Sequence, residues 1–274
     1  MPATALALAL VAAFVHALWN VLLARARDIE SATAVALLTA ELVFAPVVVF
    51  TWDAERAVWP FLVVTGLLQL AYFALLATAY RLVPLSVVYP IARGGAPVLV
   101  LVVGVIVLGR ATSWTQVLAV VLVVAGILLV RGLRQADPRG VAYGLAIASC
   151  IAAYTLVDKN GIRHAEPITY LELSMSFPAV VYAAAVIRSK GVGAVRNAIG
   201  PASILAGICT FSAYALVLAA LQRASAASVA AVRETSVVIA ALLAAAFLKE
   251  KLSVARLAGA VLVAAGVALL ALGV

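Results

Sequence analysis

The second half of this chain repeats the first. Val121-Leu122-Val123-Val124-Ala125-Gly126 and Val261-Leu262-Val263-Ala264-Ala265-Gly266 stand 140 positions apart. The same offset lays Leu108 on Leu248, Ser113 on Ser253 and Arg93 on Arg233. Apolar segments resemble one another through composition alone, but a constant offset that superposes a glycine and an arginine together is a stronger signal. Charge, proline and glycine mark the loops between apolar segments. They leave five segments in the first half, at 4–24, 32–51, 58–80, 84–108 and 113–131, and five in the second, at 139–158, 167–187, 199–221, 225–247 and 253–272. The two units are 1–137 and 138–274. Looser correspondences join Pro46 to Pro178, Trp19-Asn20 to Tyr154-Thr155 and Gly66 to Gly207.

Segments this apolar need a solvent other than water. The chain is 67% hydrophobic and 11% charged, against about 45–50% and roughly 25% in soluble domains. A helix needs about 20 apolar residues to cross a bilayer. The segments are too long and too uniform for barrel strands, which alternate over about 10 residues, so helices are the structure left that satisfies its own backbone in lipid. The expected fold is all-α and integral to the membrane, with ten transmembrane helices as two inverted five-helix repeats. Five is odd, so the second unit enters the membrane upside down. A pseudo-two-fold axis in the membrane plane then relates the copies, and a substrate site is expected near the midplane between them.

The net charge of +8 does not indicate nucleic acid, because the basic residues are scattered through short loops instead of clustering on one face. They read as topology signals. With both termini outside, twelve of the nineteen Lys and Arg residues fall on the cytoplasmic side and five on the other. Residues Met1 to Leu23 lack a basic leader and carry His16, Trp19 and Asn20, so they read as the first span and not as a cleaved signal. Cys150 and Cys209 have no metal-ligand spacing. No metal, cofactor or nucleic-acid partner is expected; the partners are a small-molecule substrate and the bilayer, and the oligomeric state stays open.

Ionisable residues inside spans are functional candidates by default. Arg93 lies in the fourth segment beside Tyr89, Pro90, Gly94, Gly95 and Pro97. Those neighbours predict a broken or bent helix next to a cavity. Arg93 either contacts an anionic substrate with its planar fork or pairs with Glu41, Glu172 or Glu234. Arg233-Glu234 is the matching element; adjacent helical residues point about 100° apart, so Arg233 is expected to pair elsewhere. His16, Trp19 and Asn20 share the first span, Gln69 and Tyr72 the third, and Tyr154 the sixth; all are substrate-binding candidates, with packing as the alternative for each. Glu41, Glu172, Glu234 and His16 are proton-coupling candidates. Asp158 reads as a residue at the membrane boundary beside Lys159.

The closing segments of each half carry a family resemblance. Phe247-Leu248-Lys249-Glu250-Lys251-Leu252-Ser253, followed by Leu257-Ala258-Gly259-Ala260 and Ala265-Gly266, resembles the drug/metabolite transporter superfamily in its ten-span EamA-type branch. Leu108-Gly109-Arg110 departs from that pattern, with Arg110 where the family usually has glutamate. The resemblance implies secondary transport of small metabolites, often export, and termini more often cytoplasmic, against the charge count. No HExxH, nucleophile elbow or phosphate-binding glycine loop is present, so no enzyme is expected. The expected function is a secondary active transporter for a small polar or anionic metabolite, working by alternating access in a bacterial cytoplasmic (inner) membrane, with protons as a candidate driver and export as a candidate direction. A lipid or lipid-linked carrier flippase and a non-transporting membrane subunit remain as alternatives.

Overall fold

The computed structural model of the chain describes residues 1–24, 26–50, 52–83, 85–131, 138–239, 242 and 254–272. Among them there are helices and turns and no strand. The first half supplies α1 (Ala3–Ala24), α2 (Ile29–Phe50), α3 (Trp59–Leu82), α4 (Leu85–Ile106) and α5 (Trp114–Arg131). The second supplies α6 (Pro138–Gly161), α7 (Pro167–Lys190), the short α8 (Val192–Asn197), α9 (Pro201–Arg223), α10 (Ala226–Arg233) and α11 (Val254–Leu272). Proline opens α3, α7 and α9 at the first or second position, where its missing N–H has no intrahelical acceptor to lose. Helices α1, α2, α3, α6, α7 and α9 are long and apolar enough to cross a bilayer, and α4, α5 and α11 carry shorter apolar stretches. Large apolar side chains such as Leu42, Phe50 and Ile106 face outward, which suits a protein solvated by lipid.

Packing follows the duplication. Helix α2 packs on α7, α4 on α10 and α5 on α11, so each meets its own counterpart in the other half. Helix α1 packs on α9 and α10 while α6 packs on α3 and α4. Exchanging the halves maps this arrangement onto itself. The counterparts run antiparallel. At one face Lys190, which ends α7, places its Nζ 2.6 Å from Asp28 Oδ1 and 2.7 Å from Glu30 Oε2, where α2 begins. At the other face the Glu55 N–H donates to the His164 carbonyl at 2.9 Å and the Glu166 N–H to Asp53 Oδ2 at 2.6 Å, joining the end of α2 to the start of α7.

The 140-residue offset is visible as a contact between α5 and α11. A Cβ on Gly126 would stand 2.5 Å from the Gly259 carbonyl oxygen and 2.9 Å from the Val263 nitrogen. A Cβ on Gly266 would stand 2.7 Å from the Ala119 oxygen and 3.2 Å from the Val123 nitrogen. Gly126 and Gly266, Ala119 and Gly259, and Val123 and Val263 are the same three positions in the two copies. Small residues let helix backbones approach where lipid gives no hydrophobic drive to associate. Gly207 lies in the same way against Ala36 of α2, and Gly66 against Ser174 of α7.

One expectation is corrected. Helix α4 is continuous from Leu85 to Ile106 despite Pro90, Gly94, Gly95 and Pro97. Pro90 falls in its second turn, and each proline removes one backbone donor without ending the helix here. The interruption lies instead in the ninth segment, where α10 stops at Arg233, turns at Glu234 and resumes over 235–239. The connector 132–137, the remainder of the ninth segment and the Phe247–Ser253 motif lie outside the described residues, as does the Tyr89 side chain.

Alanine at Gly126 or Gly266 forces the α5–α11 backbones apart. Each substitution is expected to lower unfolding stability in detergent by about 1–3 kcal/mol, and the pair by less than the sum because both open one contact; unchanged melting would contradict the contact. At the surface, partial burial opposes the charge of Asp28, but bonds from Lys190 and Ser31 outweigh it and hold its carboxyl below the usual range. A depressed carboxyl stabilises the fold above the unfolded value of about 3.9 and loses that contribution as pH falls through the folded value. Asp28→Asn is therefore expected to lower the melting temperature slightly at pH 7, by no more than about 1 kcal/mol. That difference should shrink as the pH of the melt falls through the folded value.

Candidate functional site

The site forms where α4 meets α10. Ser225 caps α10, its hydroxyl accepting the Ser228 N–H. Eight residues later the helix tightens: the Glu234 N–H reaches the Ala231 carbonyl and the Val237 N–H reaches the Glu234 carbonyl, both three residues back. This break delivers Arg233 and Glu234 into the interior opposite Arg93 of α4. Arg93 is 7% exposed, Arg233 3% and Glu234 0%. One carboxylate oxygen serves both cations: Arg93 Nη1 stands 3.4 Å from Glu234 Oε1 and Arg233 Nε stands 3.6 Å from the same atom. The adjacent Arg233 and Glu234 are thus ion-paired, contrary to the expectation from a regular helix, because the regular spacing ends at this turn. Of the three carboxylates considered for Arg93, Glu234 is the one at this distance.

Two buried cations share one anion, and the site is short of acceptors as well. Arg233 Nε and Nη2 have no hydrogen-bond partner among the described residues. Burying unpaired donors of a charged group is costly. His16 of α1 repeats the imbalance. Its Nε2 lies 2.5 Å from Arg93 Nη2 and its Nδ1 accepts from Trp19 Nε1 at 3.1 Å. Guanidinium and indole only donate, while a neutral imidazole offers a single acceptor nitrogen. Two donors therefore face one acceptor. Glu234 Oε2, by contrast, is an acceptor without a donor among the described residues.

His16, Trp19, Arg93 and Arg233 border a cavity of about 110 Å³, whereas Glu234 lies behind them, outside its lining. His16, Trp19, Glu41, Gln69, Tyr72, Arg93, Tyr154 and Arg233 all line it, together with Thr210 and Tyr214 of α9. The tyrosines make its aromatic wall: Tyr72 and Tyr154 meet edge to face at 6.4 Å and Tyr154 and Tyr214 at 5.9 Å. Most residues singled out in the sequence, from six different helices, thus converge on one space. Asn20 does not reach it, since its amide donates to the His16 carbonyl one turn back at 2.7 Å. Glu172 is buried outside the lining, with Oε2 lacking a hydrogen-bond partner among the described residues. Tyr89 belongs to α4, but its side chain is outside the described residues.

Sequence reading missed Asp158. It is fully buried, with Thr65, Tyr170 and Tyr214 on its carboxyl group. Its neighbour Lys159 turns away to the Leu221 and Ala224 carbonyls. The one sequence signal was its shared helix face with Tyr154, four residues before. Among the described residues no group of His, Cys, Asp and Glu has the arrangement of a metal site.

Charge counting sets an expectation for stability. Glu234→Gln removes the carboxylate that both buried arginines share and is expected to lower stability by about 3–5 kcal/mol. Arg233→Met leaves Arg93 paired one-to-one with Glu234, so its melting temperature should equal or exceed that of the wild type, as at functional sites that trade stability for activity. Thermal unfolding of the two variants checks this, and a reversed order would contradict the count.

Among known families, the model described as the EamA-like transporter family matches residues 3–132 and again residues 138–272. No curated protein matches the chain. A crystal structure described only as that of a protein, 16% identical, aligns over 100% of both chains with a TM-score of 0.80. At that identity the likeness speaks for the fold.

Proposed function

The chain belongs to the EamA-like transporter family and is an integral membrane protein, and from this premise we propose that it is a secondary active transporter for a small anionic metabolite. The observation that carries the reading is Arg233. It is a buried cation with two nitrogens, Nε and Nη2, that lack acceptors among the described residues, on the wall of a cavity between two repeats. A carboxylate or phosphate supplies the missing acceptors and matches the planar guanidinium fork. It also neutralises the surplus positive charge that Arg93 and Arg233 hold over Glu234. Tyr154, Tyr72 and Trp19 would pack its carbon skeleton.

The cycle is alternating access. The chain crosses the membrane ten times as two inverted five-helix units, and the units rock about the site so that it opens to each side in turn. His16, Gln69 and Arg93 face the cargo from the first unit, and Tyr154 and Arg233 from the second. A bacterial cytoplasmic membrane is the proposed setting, with both termini outside, as the lysine and arginine distribution favours, and export as the proposed direction.

A ligand that binds only the folded state raises apparent stability by mass action. Small mono- and dicarboxylates and phosphates are expected to raise the melting temperature of the purified protein. Arg93→Ala and Arg233→Ala should each reduce the effect at least tenfold in apparent affinity. Stabilisation by the same anions in both variants would contradict the site. Stabilisation by anionic lipid alone would favour the flippase instead.

A further inference from the structure

Outside the arginine cavity, the buried polar cluster at Asp158 has a hydrogen-atom count that its geometry fixes. Asp158 Oδ1 lies 2.6 Å from Thr65 Oγ1 and 2.8 Å from the Tyr170 hydroxyl, and those two oxygens lie 2.9 Å from each other. The three oxygens make a closed triangle in which every edge is at hydrogen-bond length. Three edges need three hydrogens. Thr65 and Tyr170 bring one each. Tyr214 brings another, but uses it on Oδ2 at 2.5 Å. An ionised Asp158 would accept from both Thr65 and Tyr170 and leave their own 2.9 Å contact with no hydrogen between two oxygen lone pairs. A protonated Asp158 closes the ring: Oδ1–H donates to Thr65, Thr65 donates to Tyr170, and Tyr170 donates back to Oδ1.

We propose that Asp158 is a proton-binding site, occupied in this conformation, that fastens the two repeats together beside the anion cavity. Thr65 belongs to α3 of the first repeat, and Asp158, Tyr170 and Tyr214 belong to α6, α7 and α9 of the second. Binding is the addition of one proton to one carboxylate oxygen, with no other bond made or broken. Loss of that proton removes the hydrogen from one edge of the triangle and loosens α3 from α6 and α7. Tyr214 links this event to the cavity, because it holds Oδ2 and also lines the cavity against Tyr154. The charged and titratable groups facing the carboxyl are Tyr170 from α7, Tyr214 from α9, Arg233 from α10 at longer range through Tyr154, and Tyr154 on α6 itself. From α3 the facing group is Thr65, and Arg93 of α4 lies on the far side of the cavity. The position in the first repeat that corresponds to Asp158, by the spacing that lays Trp19 on Tyr154, is Leu23, so this site has no symmetric twin. As a coupling site it rests on the transport reading above; as a proton site it does not.

Infrared spectroscopy of the purified protein reads the proton directly, without cargo. The wild type at neutral pH is expected to show a carboxylic-acid carbonyl band, shifted in D2O, that is missing from Asp158→Asn. Tyr214→Phe keeps the carboxyl and removes the donor to its carbonyl oxygen Oδ2, so it should move that band to higher wavenumber. Identical carboxylic-acid regions in wild type and Asp158→Asn would overturn the proposal. If Asp158→Asn does not fold, an unmoved band in Tyr214→Phe would overturn it equally. Failure of anion binding in the wild type would remove the transport reading and leave the band in place, so the two failures are distinguishable.

Discussion

Everything in this structure follows from helices pairing antiparallel with their own counterparts. When α4 lies on α10 and α5 on α11 across a two-fold relation, each contact made by a residue in one copy is repeated by its match in the other. On α5 and α11, Gly126 lies against Gly259 and Val263, and its match Gly266 lies against Ala119 and Val123, so close backbone contact occurs twice. On α4 and α10 the matched residues are Arg93 and Arg233, and their meeting gives two cations around one carboxylate. The same symmetry that makes a stable seam in one place makes an electrostatic surplus in another. In lipid a surplus of this kind is expensive, and a bound anion is the natural way to relieve it.

The site's chemistry comes from departures from that symmetry. Glu234 has no acidic match next to Arg93, where Gly94 stands. The turn at Glu234 exists in one copy and not in the other, since α4 continues through its corresponding position. Asp158 likewise stands in one copy alone, and these differences give the cavity an asymmetric lining.

Much of this was legible from the residues. The offset of 140 identified the repeat and the matched arginines; that its glycines form a seam between α5 and α11 became visible only in the packing. Convergence of His16, Trp19, Gln69, Tyr72 and Tyr154 followed from polar side chains having nowhere else to go in apolar spans. The helix break was misplaced. Proline and glycine in α4 are local signals, and a packed neighbour can hold such a helix straight, whereas the turn at Glu234 carries neither residue. Asp158 was missed because its partners lie 93, 12 and 56 positions away, and only the packing of four helices brings their hydroxyls to one carboxyl.

The central claim is that the cavity between the repeats opens to both sides of the membrane in turn. The most direct measurement places a cysteine at Thr210, on the cavity wall, in a background with Cys150 and Cys209 replaced by alanine. An impermeant thiol reagent is then applied to one face of sealed vesicles at a time. The account predicts labelling from each face, and protection from both faces by an anion that stabilises the protein. Labelling confined to one face, whatever anion is present, would contradict it.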